Sequence, residues 1–151
     1  MTRWILAFVL MPLALVGCGK TTEQKVNEAN EKISRMNTLN SQAVYTYGVK
    51  LTLTGYTSPY SAERANIKAI STLRSYELED LRGITSEYVS VADRLHDDLK
   101  DKDVWSMSQS DVESSRANAA SVLNLIDAEK RDRASKGTHE ITATVSEAEA
   151  S

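Results

Sequence analysis

The sequence predicts an all-α protein: an antiparallel three-helix bundle, or a helical hairpin coiled coil, with a disordered C-terminal tail. Three long segments, starting near Gln24, Pro59 and Ser110, carry apolar residues every three or four positions, the period of an amphipathic helix. Short polar connections join these segments, which favours antiparallel neighbours. We therefore predict a bundle domain over 24–137 and a disordered tail over 138–151.

The first predicted helix has an apolar seam with heptad spacing. Asn40 interrupts it, either as a buried residue that fixes the register or as a partly exposed one. Residues 49–54 alternate like a strand, but the chain offers no partner strand, so we assign them to the last turns of this helix. The seam consists of Val26, Ala29, Ile33, Met36, Asn40, Ala43 and Tyr47.

The second predicted helix runs from Pro59 to Lys100, with Ser58 and Pro59 as its N-cap and first residue. The apolar pattern slips around 75–83, which predicts a bend there, since Gly83 also weakens a helix. Its apolar face comprises Ile67, Ile70, Leu73, Leu81, Ile84, Tyr88, Val91 and Leu95.

The third predicted helix begins at a capping box formed by Ser110 and Glu113. Lys136 and Gly137 are typical of a helix C-terminus. Beyond them the chain is rich in Thr, Ser, Glu and Ala, a composition typical of disorder. The inward-facing residues predicted for this helix are Val112, Ala119, Val122, Leu123 and Ile126.

The first 18 residues have the layout of an export signal. Arg3 precedes an apolar run that is too short for a permanent membrane span. The run closes on Leu15, Val16, Gly17 and Cys18, which resembles the lipobox of bacterial lipoproteins. The resemblance implies that residues 1–17 are cleaved, that Cys18 carries the lipid that holds the chain on a membrane, and that 18–23 form a tether.

The residue after the lipidated cysteine carries a sorting signal in two-membrane bacteria. It is Gly19 rather than aspartate, so the resemblance implies the outer membrane, facing the periplasm. Cys18 is the only cysteine, so no internal disulfide can staple the domain. The formal net charge of −3 argues against nucleic acid as a partner.

Candidate catalytic and metal-binding groups are sparse, and we predict neither an enzyme nor a cofactor. His96 and Asp93 lie on one helical face, but zinc usually takes at least three protein ligands. Glu77, Glu79 and Asp80 could pair for acid–base chemistry only if one were desolvated, and an amphipathic helix more simply exposes them.

Aromatic residues mark the two predicted connections. Tyr45, Tyr47, Tyr56 and Tyr60 surround the first, and tyrosine is enriched at protein contacts, although the simpler interpretation is that these side chains cap the end of the bundle. If the first two helices are antiparallel, this connection lies far from the membrane. The second then lies near the lipid, where Trp105 suits the interface.

Two functions follow. The first is a non-enzymatic, membrane-anchored lipoprotein that binds, assembles or excludes another envelope component. The alternative is a structural protein whose first helix self-associates as a coiled coil along its seam.

Overall fold

The computed structural model describes residues 19–52, 58–100 and 109–149, with side-chain surroundings as far as residue 137. These residues form four helices and no strand: α1 (Thr22–Tyr47), α2 (Pro59–Thr72), α3 (Ser75–Asp98) and α4 (Gln109–Glu149). The predicted all-α class is therefore confirmed for the described part of the chain, with four helices in place of three.

Helix α3 lies between α1 and α4 and packs against both. Ion pairs give the directions. Arg35 of α1 pairs with Glu87, whereas Lys32, one turn earlier, pairs with Asp98 further along α3, so α1 and α3 are antiparallel. Helix α4 is also antiparallel to α3, because Arg116 pairs with Asp93, Arg82 with Asp127, and Lys130 with Glu79.

The core contains most of the residues that the apolar period predicts. The prediction is wrong at Ile67, whose side chain is 47% exposed. On α2 the buried line runs instead through Ala62, Asn66 and Ile70, one residue away on the helix surface. The predicted residues that are buried are Ala29, Met36, Ala43, Ile70, Leu81, Tyr88, Val91, Leu95, Val112, Ala119, Val122 and Ile126.

The assignment of residues 49–54 to the first helix is wrong for 49–52, the part that the structure describes. Gly48 ends α1 in the left-handed conformation, with φ 71°, and its N–H bonds the carbonyls of Ala43 and Val44. The described residues that follow, 49–52, are neither helix nor strand. Val49 and Leu51 are fully buried and Lys50 between them is exposed, so the alternation in the sequence marks an extended segment.

Three asparagine side chains hold this extended segment in place of a partner strand. Asn66 Oδ1 accepts from Lys50 N at 2.9 Å, and its Nδ2 donates to Lys50 O at 3.0 Å. Asn40 Oδ1 accepts from the N–H groups of Leu51 and Thr52. Asn118 Nδ2 donates to the carbonyls of Lys50 and Leu51. We call Asn40, Asn66 and Asn118 the asparagine clamp; they come from α1, α2 and α4.

Helix α3 adds a fourth contact through Tyr88, which is fully buried. Its hydroxyl lies 2.6 Å from Thr52 Oγ1 and also hydrogen-bonds the buried Ser115. Burial raises the pKa of the Tyr88 phenol above its ordinary value, although both hydrogen bonds act in the opposite direction.

The raised pKa predicts a loss of stability in alkali. Stability from neutral Tyr88 is complete below the unfolded pKa of about 10 and is lost as pH rises through the higher folded pKa. We expect Tyr88→Phe to be less stable at neutral pH yet to lose less stability above pH ~10. Urea unfolding across that range measures both effects, and parallel pH profiles for the two proteins would contradict the assignment.

The predicted second helix is two helices rather than one bent helix. Leu73 and Arg74 are extended, with ψ of 147° and 163°, and separate α2 from α3, whereas Gly83 lies inside α3. The break is held from α4, where Arg133 Nη1 donates to Leu73 O at 2.7 Å and Nη2 to Ser71 O at 3.4 Å. A bend at 75–83 is therefore wrong.

The break changes the direction of α2. Asn66 in the middle of α2 and Asn118 of α4 both donate a hydrogen bond to Lys50 O. Ser71 at the end of α2 accepts a hydrogen bond from Arg133, which lies further along α4. Contacts thus advance in the same sense along both helices, so α2 runs with α4 and hence with α1. The expectation that the first two helices are antiparallel is corrected: α3 is the antiparallel neighbour of α1.

The predicted boundaries of the third helix also differ. Gln109 is already helical, so Ser110 lies inside α4 rather than at its N-cap. The backbone stays helical through Glu149, where a stop at Gly137 and a disordered tail were predicted. Gly137 does not adopt the left-handed conformation of a helix cap, and the sequence has no proline between 138 and 149.

Candidate functional site

The described chain begins beside the proposed lipid attachment residue. Cys18 and the lipobox residues Leu15, Val16 and Gly17 lie outside the described residues. Gly19 is exposed, and α1 starts at Thr22. A capping box fixes that start: Thr21 Oγ1 accepts from Gln24 N at 3.2 Å, and Gln24 Oε1 accepts from Thr21 N at 3.0 Å. A lipid on Cys18 would therefore lie within a few residues of a rigid helix.

Three helix ends meet near this attachment point. Helices α1 and α4 begin here and α3 ends here, because both neighbours are antiparallel to α3. Gln109 Nε2 donates to His96 O at 3.3 Å, which joins the start of α4 to the last turns of α3. We call this the Thr22 end. Trp105 lies outside the described residues, but both flanks of its connection, Lys100 and Gln109, belong to this end.

Charged side chains surround a groove of about 220 Å³ at the Thr22 end. Lys20 pairs with Glu28 at 2.6 Å, and Lys100 with Asp97 at 2.6 Å. Hydrogen bonds from the two lysines hold the pKa of Glu28 and of Asp97 below their ordinary values. The groove therefore carries both signs of charge in mutually compensated pairs.

The structure disperses the described tyrosines that flank the first connection. Tyr45 is 88% exposed at the end of α1, whereas Tyr47 is partly buried against the core and has a pKa raised first by that burial. Tyr60 is 67% exposed at the start of α2. A Cβ on Gly48 would touch Ala69, so Gly48 lies level with Ala69 of α2. Tyr60 precedes Ala69 by nine helical residues, which is about 14 Å along the helix axis. Tyr56 lies outside the described residues.

A surface that sequence reasoning missed lies on the outer side of α1. An open groove of about 730 Å³ runs along it, and the described residues that line it all belong to α1. The chain has no charged residue from Met36 to Val49, which is the signal that could have identified this surface. The residues lining the groove are Asn30, Ile33, Ser34, Asn37, Thr38, Ser41, Gln42, Tyr45 and Thr46.

The acidic groups considered for chemistry have structural partners. Asp93 pairs with Arg116 rather than with His96. Arg74 donates to Glu77 through its backbone N–H at 2.7 Å and its guanidinium at 3.1 Å, and this side-chain hydrogen bond lowers the pKa of Glu77. Glu79 pairs with Lys130. In the described parts of the chain, no group of three or more His, Cys, Asp or Glu side chains could hold a metal ion.

Comparison with protein-family models, with curated proteins and with solved structures gave no significant match. Among the described helices, none is both long and apolar enough to span a bilayer.

Proposed function

We propose that the chain is a membrane-anchored helical lipoprotein of the bacterial envelope that acts without catalysis as a binding, assembly or exclusion factor. The observation that carries the proposal is the succession of Leu15, Val16, Gly17 and Cys18, which resembles a lipobox and lies directly before a short tether and a capped helix. The outer membrane, facing the periplasm, is the proposed location because Gly19 follows Cys18.

The helical geometry supports a display role for such a protein. Helix α1 has 26 residues, so its end lies about 39 Å from its start. Tyr45 and Tyr47, near its end, would then lie well away from the bilayer. We propose that these two residues, together with Tyr56 and Tyr60, contact the partner. Trp105, in the connection at the Thr22 end, would contact the membrane interface.

The alternative, a coiled coil formed by the α1 seam, has less support. Ala29, Met36 and Ala43 of that seam are buried within the chain's own core, and Asn40 bonds the extended segment. Self-association along the same line would require α1 to leave α3. We therefore favour another envelope component as the partner over a second copy of this chain bound through the α1 seam.

Replacing the proposed lipidation residue tests the function. We expect Cys18→Ser to abolish both palmitate incorporation and signal-peptide cleavage, because serine offers no thiol for the diacylglyceryl group. Metabolic labelling with palmitate and membrane fractionation measure the effect. Ser34→Ala, on the outer face of α1, is the matched control and should label normally. A Cys18→Ser chain that still labels and matures would remove the proposal.

A further inference from the structure

Helix α2 packs less extensively than its three neighbours. Helix α3 packs against both α1 and α4, whereas the helix–helix contacts of α2 are mainly with α4. Ten of the fourteen residues of α2 are exposed, and only Ala62, Asn66 and Ile70 are buried. Ile70 is therefore the one large apolar side chain that α2 buries, whereas α3 buries three leucines and Tyr88. The hydrophobic contribution that holds α2 in place is correspondingly small.

Two sets of polar contacts supplement this small apolar face. The Asn66 amide both donates to and accepts from the backbone of Lys50. Arg133 of α4 donates to two backbone carbonyls at the C-terminal end of α2. Glu129, one turn earlier on α4, accepts from Arg133 Nε at 2.7 Å and so orients the guanidinium. If α2 detaches, these groups become accessible to water, which can replace the lost hydrogen bonds.

The junction between α2 and α3 provides a pivot. Leu73 and Arg74 are extended, so the helical hydrogen bonds of α2 do not continue into α3. Leu73 N–H bonds back to Ile70 O in α2, and Arg74 O accepts from Leu78 N in α3. Rotation between these two residues can therefore change the direction of α2 without breaking a backbone hydrogen bond of either helix.

We propose that α2 is a hinged cover, held closed by Asn66 and Arg133, that detaches as one unit while α1, α3 and α4 stay folded. The cover turns at Leu73 and Arg74. When closed, it occupies both the N–H and the carbonyl of Lys50 through Asn66. When open, it leaves the Lys50 N–H free, whereas the other two residues of the asparagine clamp still hold the extended segment. Opening thus uncovers a peptide edge of the kind to which an extended chain can hydrogen-bond.

Hydrogen exchange of the full chain in detergent, followed residue by residue by NMR, tests the proposal. A region that opens as a unit shares one protection factor, and this factor is lower than that of the core if the core stays folded. We expect the amides of 63–72 to share a protection factor at least about tenfold below that of 81–95 in α3. Protection equal to that of α3 would overturn the proposal. Protection that falls gradually toward the ends of α2 would also overturn it, because the helix would then fray rather than detach.

Low concentrations of urea distinguish detachment of α2 from unfolding of the whole chain. The dependence of an opening free energy on urea scales with the surface that the opening exposes. Detachment of α2 exposes less surface than global unfolding, so we expect the slope for 63–72 to be less than about half of that for 81–95. Equal slopes would mean that α2 opens only when the rest of the chain unfolds, and would overturn the proposal.

A disulfide across the closed cover should suppress its opening. A Cβ built on Gly48 lies 3.7 Å from Ala69 Cβ, which is within the range that a disulfide requires. In the full chain with Cys18→Ser, Gly48→Cys and Ala69→Cys, we expect oxidation to raise the protection of 63–72 to that of 81–95. Reduction should restore the difference, and it is the matched control because any strain at position 48 is present in both forms. Oxidation that leaves the protection of 63–72 unchanged would contradict the proposal.

Removing the contact from α4 should make the cover open more often. We expect Arg133→Ala to lower the protection of 63–72 about fivefold to tenfold, because two carbonyls at the end of α2 lose their donor. Lys136→Ala is the control, since it removes a cation from the same helix whose ion pair, with Asp132, lies within α4. It should leave the protection of 63–72 unchanged. Equal effects of the two variants would contradict the proposal, because Arg133 would then not hold the cover closed.

Discussion

Asn66→Ala should lower the free energy of unfolding by about 2–4 kcal/mol, a large effect for a polar residue on a surface-facing helix. Asn66 is 1% exposed and makes two hydrogen bonds to the backbone of Lys50. Each such bond contributes about 1 kcal/mol net, and a buried polar group that loses its partner costs about 1–3 kcal/mol more. The Lys50 N–H would lose its bond to Asn66, whereas Lys50 O would keep the bond from Asn118.

Urea unfolding followed by circular dichroism measures this loss, and an exposed asparagine on the neighbouring helix provides the control. Asn37→Ala removes the same amide from α1 and should change stability by less than about 0.5 kcal/mol. Asn66→Asp keeps an acceptor for Lys50 N but points a carboxylate oxygen at Lys50 O, so it should also destabilise. If Asn66→Ala and Asn37→Ala have equal effects, the asparagine clamp does not stabilise the fold.

The apolar period predicted the helical class because burial of one face is a local property of the sequence. Leu81, Tyr88 and Leu95 recur at heptad intervals and are all fully buried. A second local signal, the preference for serine at the N-cap and proline at the first helical position, predicted Ser58 and Pro59 there, and both positions are confirmed. Signals of this kind need no knowledge of the rest of the chain.

The extended segment was missed because its partners are distant in sequence. The alternation of Val49, Lys50 and Leu51 indicated an extended chain, and the absence of a second strand argued against it. An asparagine amide carries both a donor and an acceptor, as a peptide group does, so Asn66 can replace a strand neighbour. A core-facing asparagine between Ala62 and Ile70 was the available signal.

The local signal for the break between α2 and α3, a slip in the apolar pattern around 75–83, was displaced from it and did not show that the helix ends. Leu73 and Arg74 include neither glycine nor proline, the usual marks of a helix end. The carbonyls exposed by the break bond to Arg133, which lies 60 residues away from Leu73 in sequence. The distance of Tyr60 from Tyr45 depends on this break, because the break sets the direction of α2. Their separation therefore could not be derived from the period alone.

The central position of α3 predicts a large contribution to stability from its fully buried leucines, of which Leu81 is one. Leu81 is fully buried on α3, the helix that packs against both α1 and α4, whereas Ile84, one turn along, is only partly buried. Deleting a buried leucine side chain removes its burial energy and leaves a cavity in a core that repacks incompletely. We expect Leu81→Ala to cost about 2–5 kcal/mol.

Ile84→Ala is the matched control, because it removes an aliphatic side chain of similar size from the same helix. We expect it to cost only about 1–2 kcal/mol, since the solvent-facing part of Ile84 contributes little and leaves no cavity. Chemical unfolding of both variants gives the difference directly, with no disulfide to obscure it. Equal losses of unfolding free energy would mean that Ile84 is buried as fully as Leu81. A second protein that covered this face of α3 during the measurement would have that effect.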